Sequence, residues 1–377
     1  MNMSWYWIKQ KRIWPVWLAI FSIAILVGSS AVPAAAQDLN AKWSKGIRFE
    51  TEDGSVKLKV GGRIQYDTTF VIADDDLEAD IGEQVGGMEF RRARMYTSGT
   101  IYNNVEFKLQ MDFAGGEAKF KDTYVGVTNI PGLGGFRAGH WKEPFSLEEL
   151  TSSKYITFLE RSLPSVFWPS RNSGFMFHNQ VADDRVTWAF GVFKDVGDDA
   201  VAENYDQWNF TGRLTGLPIY SDSGRRLLHL GVSLSRKVHD GYEIRYRQRP
   251  EAHLSDRFVN TGYFIADSVT LQDYELAWVE GPFSVQGEYT RASTCASDVG
   301  DPSPWGYYVM ASAFLTGENR KYKQSSGAFD RVSPHNNLGP DGAGAFEIAV
   351  RYSHLRLDDE AIQGGRLSDL TNVNTAG

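Results

Sequence analysis

The sequence has almost no cysteine, and Cys295 is the single thiol in 377 residues. An internal disulfide is therefore excluded, and one thiol is too few for a cysteine-based metal site. Positive charge is also scarce. Lys9, Lys11 and Arg12 lie near the N-terminus, and the chain after residue 36 holds 36 basic against 47 acidic residues. This balance argues against nucleic acid as a partner.

Long apolar runs are missing everywhere except at the N-terminus. There, three basic residues precede the apolar stretch from Ile13 to Val32, and Ala34-Ala35-Ala36 ends it. This order predicts a secretory signal peptide over residues 1–36, with residues 37–377 as one domain. A single membrane anchor is the alternative, because about 20 apolar residues can span a bilayer. No later stretch reaches that length, which excludes a bundle of membrane helices.

Catalytic motifs are absent too. The sequence contains no HExxH and no GxSxG, and its seven histidines are scattered. We therefore expect no enzyme activity, no metal and no cofactor. A barrel enzyme of the outer membrane remains an alternative, and it would require a nucleophile or an acid–base cluster at one rim.

The chain does contain long segments in which apolar and charged residues alternate. From Ser55 to Thr68, Val56, Leu58 and Val60 fall on one face while Lys57 and Lys59 fall on the other. The same period predicts about 14 strands, near residues 55–68, 88–102, 104–114, 118–129, 134–142, 173–181, 184–194, 204–217, 225–237, 241–250, 269–280, 282–292, 304–316 and 344–357.

These strands favour an all-β fold, a transmembrane antiparallel barrel. A soluble β-sandwich, such as an exported carbohydrate-binding domain, would also alternate. However, several of the predicted strands exceed the soluble average of about 5 to 6 residues, and they carry full charges at their centres. Aromatic residues near strand ends, such as Tyr66 and Tyr352, are typical of the girdles of a membrane barrel.

The connections differ in length. Asn103-Asn104 and Gly281-Pro282 predict tight turns, whereas Ala73 to Gly87, Lys142 to Asn172 and Glu318 to Gly342 are long. Short turns on one rim and long loops on the other are typical of outer-membrane barrels. The 142–172 loop is rich in apolar residues, which predicts that it folds inward and narrows the lumen. The alternative is that it packs against a neighbouring subunit.

Basic residues recur at strand spacing. Arg245, Arg247 and Arg249 share one face of the segment that starts at Tyr242, and together with Lys57, Lys59 and Arg63 they predict a basic track along a pore wall. The alternative is that these residues pair with acids and only stiffen the wall. Arg91-Arg92 breaks the alternation, which predicts a bulge or a strand end, at a constriction or at a rim.

Three short motifs resemble the phosphate-selective porin O/P family. They are Phe90-Arg91-Arg92-Ala93, Thr151-Ser-Ser-Lys154 followed by Glu160-Arg161, and Leu315-Thr-Gly-Glu318 followed by Tyr322-Lys323. The resemblance extends from about Gly54 to Asp359. It implies a homotrimer of 16-stranded barrels in the outer-membrane lipid, each with an inward-folded third loop and an arginine ladder that leads small anions to a constriction.

By position, the resemblance assigns Arg63, Arg91, Arg92, Arg247 and Arg249 to the ladder and the constriction, and Asp122 to the aspartate of the constriction. The expected function is passive diffusion of small anions, with phosphate or polyphosphate among them. A general porin with little anion selectivity is the alternative.

Two departures from the family pattern bear on this expectation. Glu106 and Glu149 stand where phosphate-specific members carry lysine, and a carboxylate there repels a phosphate dianion. The chain also ends on a polar tail at Gly377 without a terminal aromatic residue, so we expect that the final strands are missing from this sequence.

Overall fold

The computed structural model of the protein describes residues 38–44, 46–72, 74–82, 86–201, 207–296, 299–357 and 372–376. The predicted signal peptide lies outside the described residues. No helix in the described part of the chain is long and apolar enough to cross a membrane.

Within the described residues, sixteen antiparallel strands form one sheet in which sequence neighbours pair. The strands, in chain order, are β1 (Leu39–Trp43), β2 (Ile47–Thr51), β3 (Lys57–Thr69), β4 (Gly87–Ile101), β5 (Val105–Asp112), β6 (Lys119–Ile130), β7 (Gly134–Lys142), β8 (Arg171–Val181), β9 (Val186–Lys194), β10 (Trp208–Ser221), β11 (Arg226–Ile244), β12 (Arg247–Gln248), β13 (Val259–Asn260), β14 (Phe264–Glu280), β15 (Phe283–Cys295), β16 (Trp305–Phe314), β17 (Lys321–Lys323), β18 (Ala328–Asp330), β19 (Glu347–Arg356) and β20 (Asn372–Ala376). The pairs β12–β13 and β17–β18 are separate two-stranded hairpins.

Two short α-helices, α1 (Asp75–Ile81) and α2 (Leu147–Leu150), and three 3₁₀ turns, Leu163–Val166, Asp222–Gly224 and Gln324–Ser326, lie in the connections between strands. The turn after β4 is tight because Tyr102 and Asn103 adopt positive φ, as the Asn103-Asn104 pair predicts.

The sheet carries its apolar residues on the outside. On β10, Leu214 is 51% exposed while its neighbour Arg213 is 6% exposed, and on β14 Tyr274 is exposed while Glu275 is buried. A soluble sandwich would bury the apolar face instead. Outward apolar side chains and inward charged ones match a barrel in lipid, so the predicted transmembrane β-barrel is confirmed.

The strand predictions hold for most of the wall and fail in three places. Strands β1, β2 and β20 were not predicted, and the segments 225–237 and 241–250 are not two membrane strands. One strand, β11, extends from Arg226 to Ile244 and covers most of both segments, and the chain leaves the sheet after Ile244. The prediction that Arg245, Arg247 and Arg249 share one face of a wall strand is therefore wrong. The expectation that the final strands are missing stays a prediction.

The rims also differ from the expected pattern. Most long connections leave the rim reached by the end of β7, which we call the loop rim. The connection between β16 and β19, residues 315–346, leaves the opposite rim, where the other connections are tight turns, and we call that the turn rim. The prediction of short turns on one rim and long loops on the other is therefore wrong at this connection.

Candidate functional site: the narrowed lumen

The connection of residues 143–170, which we call the inward loop, spans the interior of the barrel. Glu160 forms an ion pair with Arg91 on β4, and on another side of the wall the indole Nε1 of Trp168 donates to Thr290 Oγ1 on β15 at 2.8 Å. These two strands are far apart in the order of the sheet. The predicted inward fold of this segment therefore agrees with its contacts.

Apolar packing explains why the inward loop stays inside. Phe145, Leu163 and Phe167 are buried in a cluster with Tyr308 on β16 and Leu355 on β19. Each fully buried side chain of this size contributes about 1.5 to 3 kcal/mol relative to exposure. The cluster fills the side of the lumen along β14, β15, β16 and β19, so the open path lies toward β3–β9.

Two polar anchors hold the inward loop against that wall. Glu288 on β15 accepts hydrogen bonds from the backbone amides of Leu147 and Glu148, at 2.7 and 2.8 Å. Arg351 on β19 donates to the carbonyl oxygen of Glu160 at 3.0 Å and also binds the carboxylate of Glu251. Both anchors are buried, so each has lost its hydration and depends on these partners.

A second segment enters the lumen from the turn rim. Arg213 on β10 donates to the carbonyl oxygen of Gly327 at 2.8 Å, and His229 Nδ1 lies 2.7 Å from the hydroxyl of Tyr322. The amide of Phe329 donates to Thr151 Oγ1 of the inward loop at 3.3 Å. The β17–β18 hairpin therefore meets the inward loop inside the barrel, and together they narrow the lumen from both rims.

Beside these two segments is a cavity of about 900 Å³ with a predominantly basic lining. Of the described side chains that line it, fourteen are basic and four are acidic. The basic ones are Lys59, Arg63, Arg91, Arg92, Arg94, Lys108, Lys121, Arg137, Lys142, Lys154, Arg161, Arg171, Arg213 and Lys323; the acidic ones are Glu106, Asp122, Glu149 and Asp330. Charge of one sign focused in a narrow cleft concentrates counter-ions there.

Three of the acids are held in ion pairs at the wall. Asp122 lies between Arg171, at 2.8 Å, and Lys108. Glu106 pairs with Arg137 at 2.8 Å. In each pair the two opposite charges cancel locally. These acids therefore weaken the positive field of the cavity, but basic side chains remain in excess.

Glu149 of the inward loop is the third such acid, and it contacts Arg161 at 2.9 Å and Lys142 at 3.0 Å. Burial would raise its pKa, but the positive charges of Arg161 and Lys142 outweigh burial and lower the pKa below its ordinary value. Glu149 therefore remains ionised at neutral pH, and its negative charge compensates part of the positive charge of Arg161 and Lys142.

Arg63 forms no ion pair among the described residues, and its buried Nε has no hydrogen-bond partner there. Positive charge also reaches the inward loop. Burial, followed by the charges of Arg63 and Lys59, lowers the pKa of Lys154. The part of the lumen around Arg63 is therefore the least neutralised part of the lining.

The structure brings together five of the nine predicted site residues. Lys59, Arg63, Arg91, Arg92 and Asp122 all line the cavity. Arg91 is the extra residue of a β-bulge, since Gln65 pairs with Arg92 and Tyr66 with Phe90. The break in alternation predicts a bulge or a strand end, and the structure has the bulge.

The other four lie elsewhere. Lys57 is exposed near the turn rim and pairs with Glu50 at 3.4 Å. Arg245, Arg247 and Arg249 belong to the connection between β11 and β14, where Arg245 donates to Asn260 Oδ1 at 2.8 Å. They are grouped with Arg257, whose pKa is lowered by burial and then by the charges of Arg247 and Arg249. A role for them in the pore stays a prediction.

Sequence reasoning missed Arg94, Lys108, Lys154 and Arg171 as lining residues. A signal for Arg94 was present, because after the bulge it returns to the face of Arg92. Lys108 also lies on the charged face of a predicted strand. No strand pattern identified Arg171, because it is the first residue of β8 and follows a loop whose path the sequence does not predict.

One cluster has the composition of a metal site. Carboxylate atoms of Asp273, Glu275 and Glu288 lie within 4.8 Å of one another. Glu275 is bound by Arg213 at 2.6 Å and by His229 at 3.0 Å, and Glu288 holds the inward loop. Because protein donors already occupy these two carboxylates, we assign the cluster to anchoring.

Comparison with known proteins agrees with this architecture. The chain is 26% identical to Porin O of Pseudomonas aeruginosa over 374 residues, covering 90% of this chain and 83% of that protein. It is 31% identical to an uncharacterised protein of Caulobacter vibrioides over 353 residues, covering 89% and 68%. The family described as phosphate-selective porin O and P matches residues 58–372.

The chain belongs to the phosphate-selective porin O and P family. It is a porin of the bacterial outer membrane and not an enzyme. Solved structures give looser matches to this porin. The loop L8 deletion mutant of OmpT from Vibrio cholerae has a TM-score of 0.48 and 10% identity, covering 80% of this chain and 83% of that one. The anion-selective porin from Comamonas acidovorans has a TM-score of 0.48 and 12% identity, covering 80% and 82%.

Proposed function

We propose that this porin conducts small anions through the basic cavity between the inward loop and strands β3–β9. The observation that carries the proposal is the excess of basic over acidic side chains in the lining, fourteen against four among the described residues. Rings of arginine and lysine attract anions and repel cations in narrow pores. Phosphate and polyphosphate are candidate solutes.

A general porin with weak anion preference is the second candidate. It is favoured by the ion pairs of Asp122, Glu106 and Glu149, which neutralise part of the lining. We infer that Glu106 and Glu149 broaden the range of solutes, because a carboxylate beside the path repels a phosphate dianion more than a monovalent anion. Arg63 and its unpaired neighbours then supply the remaining anion preference.

Export and assembly complete the proposal. We propose that residues 1–36 direct export and are removed, and that the mature chain assembles as a homotrimer in outer-membrane lipid. The outward apolar residues of the sheet supply the surface that lipid and neighbouring subunits cover.

Reversal potentials in planar bilayers test the anion preference. In a KCl gradient the wild-type pore is expected to favour chloride, and phosphate added to one side is expected to compete with it. Replacing Arg91 and Arg92 with alanine should lower the chloride preference, because two lining cations disappear and Glu160 loses its partners. A cation-selective wild-type pore, or an unchanged double variant, contradicts the proposal.

Acid should strengthen the anion preference. Burial would raise the pKa of Glu160, but its hydrogen bond and ion pair with Arg91 hold the pKa below its ordinary value of 4.5; Glu149 behaves alike. Both carboxylates stay charged above that value and are protonated only below it, which removes two negative charges. Protonation of these two carboxylates should therefore shift the reversal potential toward anions below about pH 5.

The double variant Glu149→Gln, Glu160→Gln is the matched control for this pH effect. It lacks both loop carboxylates, so its acid shift should be smaller than that of the wild type. An equal shift in the two proteins would assign the effect to other carboxylates.

A further inference from the structure

Three buried carboxylic acids stand side by side on the inner face of the wall, where the inward loop is docked. Asp273 and Glu275 lie two residues apart on β14, and Glu288 on β15 pairs with Glu275 across the strands. All three are at most 4% exposed, and one carboxylate oxygen of each lies within 4.8 Å of the other two. Away from water, three negative charges this close together require compensation by positive charge, by hydrogen bonds or by a proton.

Two of the three acids have that compensation from the protein. Glu275 is bound by Arg213 at 2.6 Å and lies 3.0 Å from His229 Nε2. Glu288 accepts hydrogen bonds from two backbone amides of the inward loop and from the hydroxyl of Tyr308 at 2.6 Å. Hydrogen bonds of this kind favour the ionised form of a carboxyl group. Both glutamates are therefore stabilised as anions.

Asp273 has much weaker support for a negative charge. Its Oδ1 accepts from Thr290 Oγ1 at 2.5 Å, and Thr290 in turn accepts from the indole of Trp168 in the inward loop. Its Oδ2 is buried and has no hydrogen-bond donor among the described residues. The side chain of Asp273 is within hydrogen-bonding reach of Glu288. Two carboxyl groups at this distance share one proton, and Oδ2 is the oxygen free to carry it, because both oxygens of Glu288 already accept from other donors.

The neighbouring elements bring further charged and titratable groups to this pair, but none of them gives Asp273 a cation. The inward loop contributes Glu148, whose carboxylate is bound to Arg351 on β19. The connection between β16 and β19 contributes the phenol of Tyr322 and the guanidinium of Arg320, which donates to a glutamine of β15 at 2.9 Å. Among the described residues, Asp273 forms no ion pair with any of these groups, and the charges closest to it are negative.

We propose that Asp273 is a positioning residue for the inward loop, and that it shares a proton with Glu288 while the loop is docked. The proton keeps a second anion away from Glu288, whose own charge then serves the two loop amides. Neutral Asp273 also remains an acceptor for Thr290, to which Trp168 donates. Loss of the proton to hydroxide in alkaline solution places two anions side by side and weakens both contacts with the loop. Because docking favours the protonated form, raising the pH works against docking.

Single-channel recordings of the full porin in planar bilayers, at neutral pH and at about pH 9, test this role. The wild-type pore is expected to conduct more and with more noise at the higher pH, because a released loop widens the path. Asp273→Asn cannot ionise, but its amide donates to Glu288 and accepts from Thr290. This variant should match wild type at neutral pH and lose the alkaline increase. Asp273→Ala removes both hydrogen bonds and should be noisy at either pH.

Asp267→Asn is the matched control. Asp267 is on the same strand, β14, but it is exposed on the outward face, so its substitution should leave the alkaline increase in place. Lining lysines also titrate in this range, and they are common to all these proteins. The difference between wild type and Asp273→Asn therefore isolates the contribution of Asp273. Since conductance and noise are the measured quantities, the test is valid for a porin of any ion preference.

Infrared difference spectra of wild type against Asp273→Asn give a second measurement of the proton. At neutral pH they should contain the carbonyl stretch of a protonated carboxylic acid, which is well separated from the bands of an ionised carboxylate. Absence of that band overturns the proposal, as does an equal alkaline response in wild type and Asp273→Asn. An Asp273→Asn pore that is as noisy as Asp273→Ala at neutral pH would also contradict it, because the loop would then depend on an ionised carboxylate at residue 273.

Discussion

Replacing Glu288 with alanine is expected to raise the single-channel conductance and to make the current noisier. The substitution leaves the buried amides of Leu147 and Glu148 without an acceptor. Each unsatisfied buried group costs about 1 to 3 kcal/mol, which shifts the balance between docked and released inward loop by at least about tenfold for the pair. A released loop widens the path beside β3–β9. Planar-bilayer recordings of single channels measure the change.

Glu288→Gln separates positioning from a general loss of stability. The amide keeps one oxygen as an acceptor but presents an NH₂ group to the second backbone amide, so its conductance should lie between those of wild type and alanine. Glu280→Ala is the control, because Glu280 lies on the adjacent strand β14 and pairs only with Arg226 among the contacts described. Wild-type conductance in Glu288→Ala, with normal heat stability of the barrel, would show that the apolar cluster and the Arg351 anchor dock the loop without Glu288.

Replacing Arg63 with glutamate is expected to abolish the anion preference and move the pore toward cations. Arg63 lies beside Arg92 and Arg94 and lines the cavity, and no carboxylate among the described residues forms an ion pair with it. The substitution changes the local charge by two, and the new carboxylate also pairs with the neighbouring arginines. We expect the ratio of anion to cation permeability to fall by about tenfold, measured as a reversal potential.

Lys57→Glu is the control for Arg63→Glu. Both residues lie on the charged face of β3, and both substitutions change the charge by two. Lys57, however, is near the turn rim, pairs with Glu50 and does not line the main cavity. Its effect should be small. Equal effects of the two substitutions would mean that selectivity follows the total charge of the barrel and not the narrowed lumen.

The alternation of apolar and charged residues predicted most of the wall because strand period is a local property. It failed at residues 241–250, where Tyr242, Ile244 and Tyr246 continue the period although the chain leaves the sheet after Ile244. Tyr246 is buried against Phe167 of the inward loop, so its place in the pattern reflects packing inside the lumen. The alternation of residue types cannot distinguish an apolar residue that faces lipid on a strand from one that packs inside the lumen.

The sequence by itself determined long strands with one apolar and one charged face, an irregularity at Arg91-Arg92 and a basic strand face with Lys59 and Arg63. These follow from the order of residue types along single strands, which decides the face that each side chain occupies. Only the tertiary structure decided that Arg171 and Lys154 join that face, that Glu106 and Glu149 are paired, and that loops from both rims meet near Thr151 and Phe329. Such contacts join residues far apart in the chain, and they depend on how the wall and its inward segments pack together.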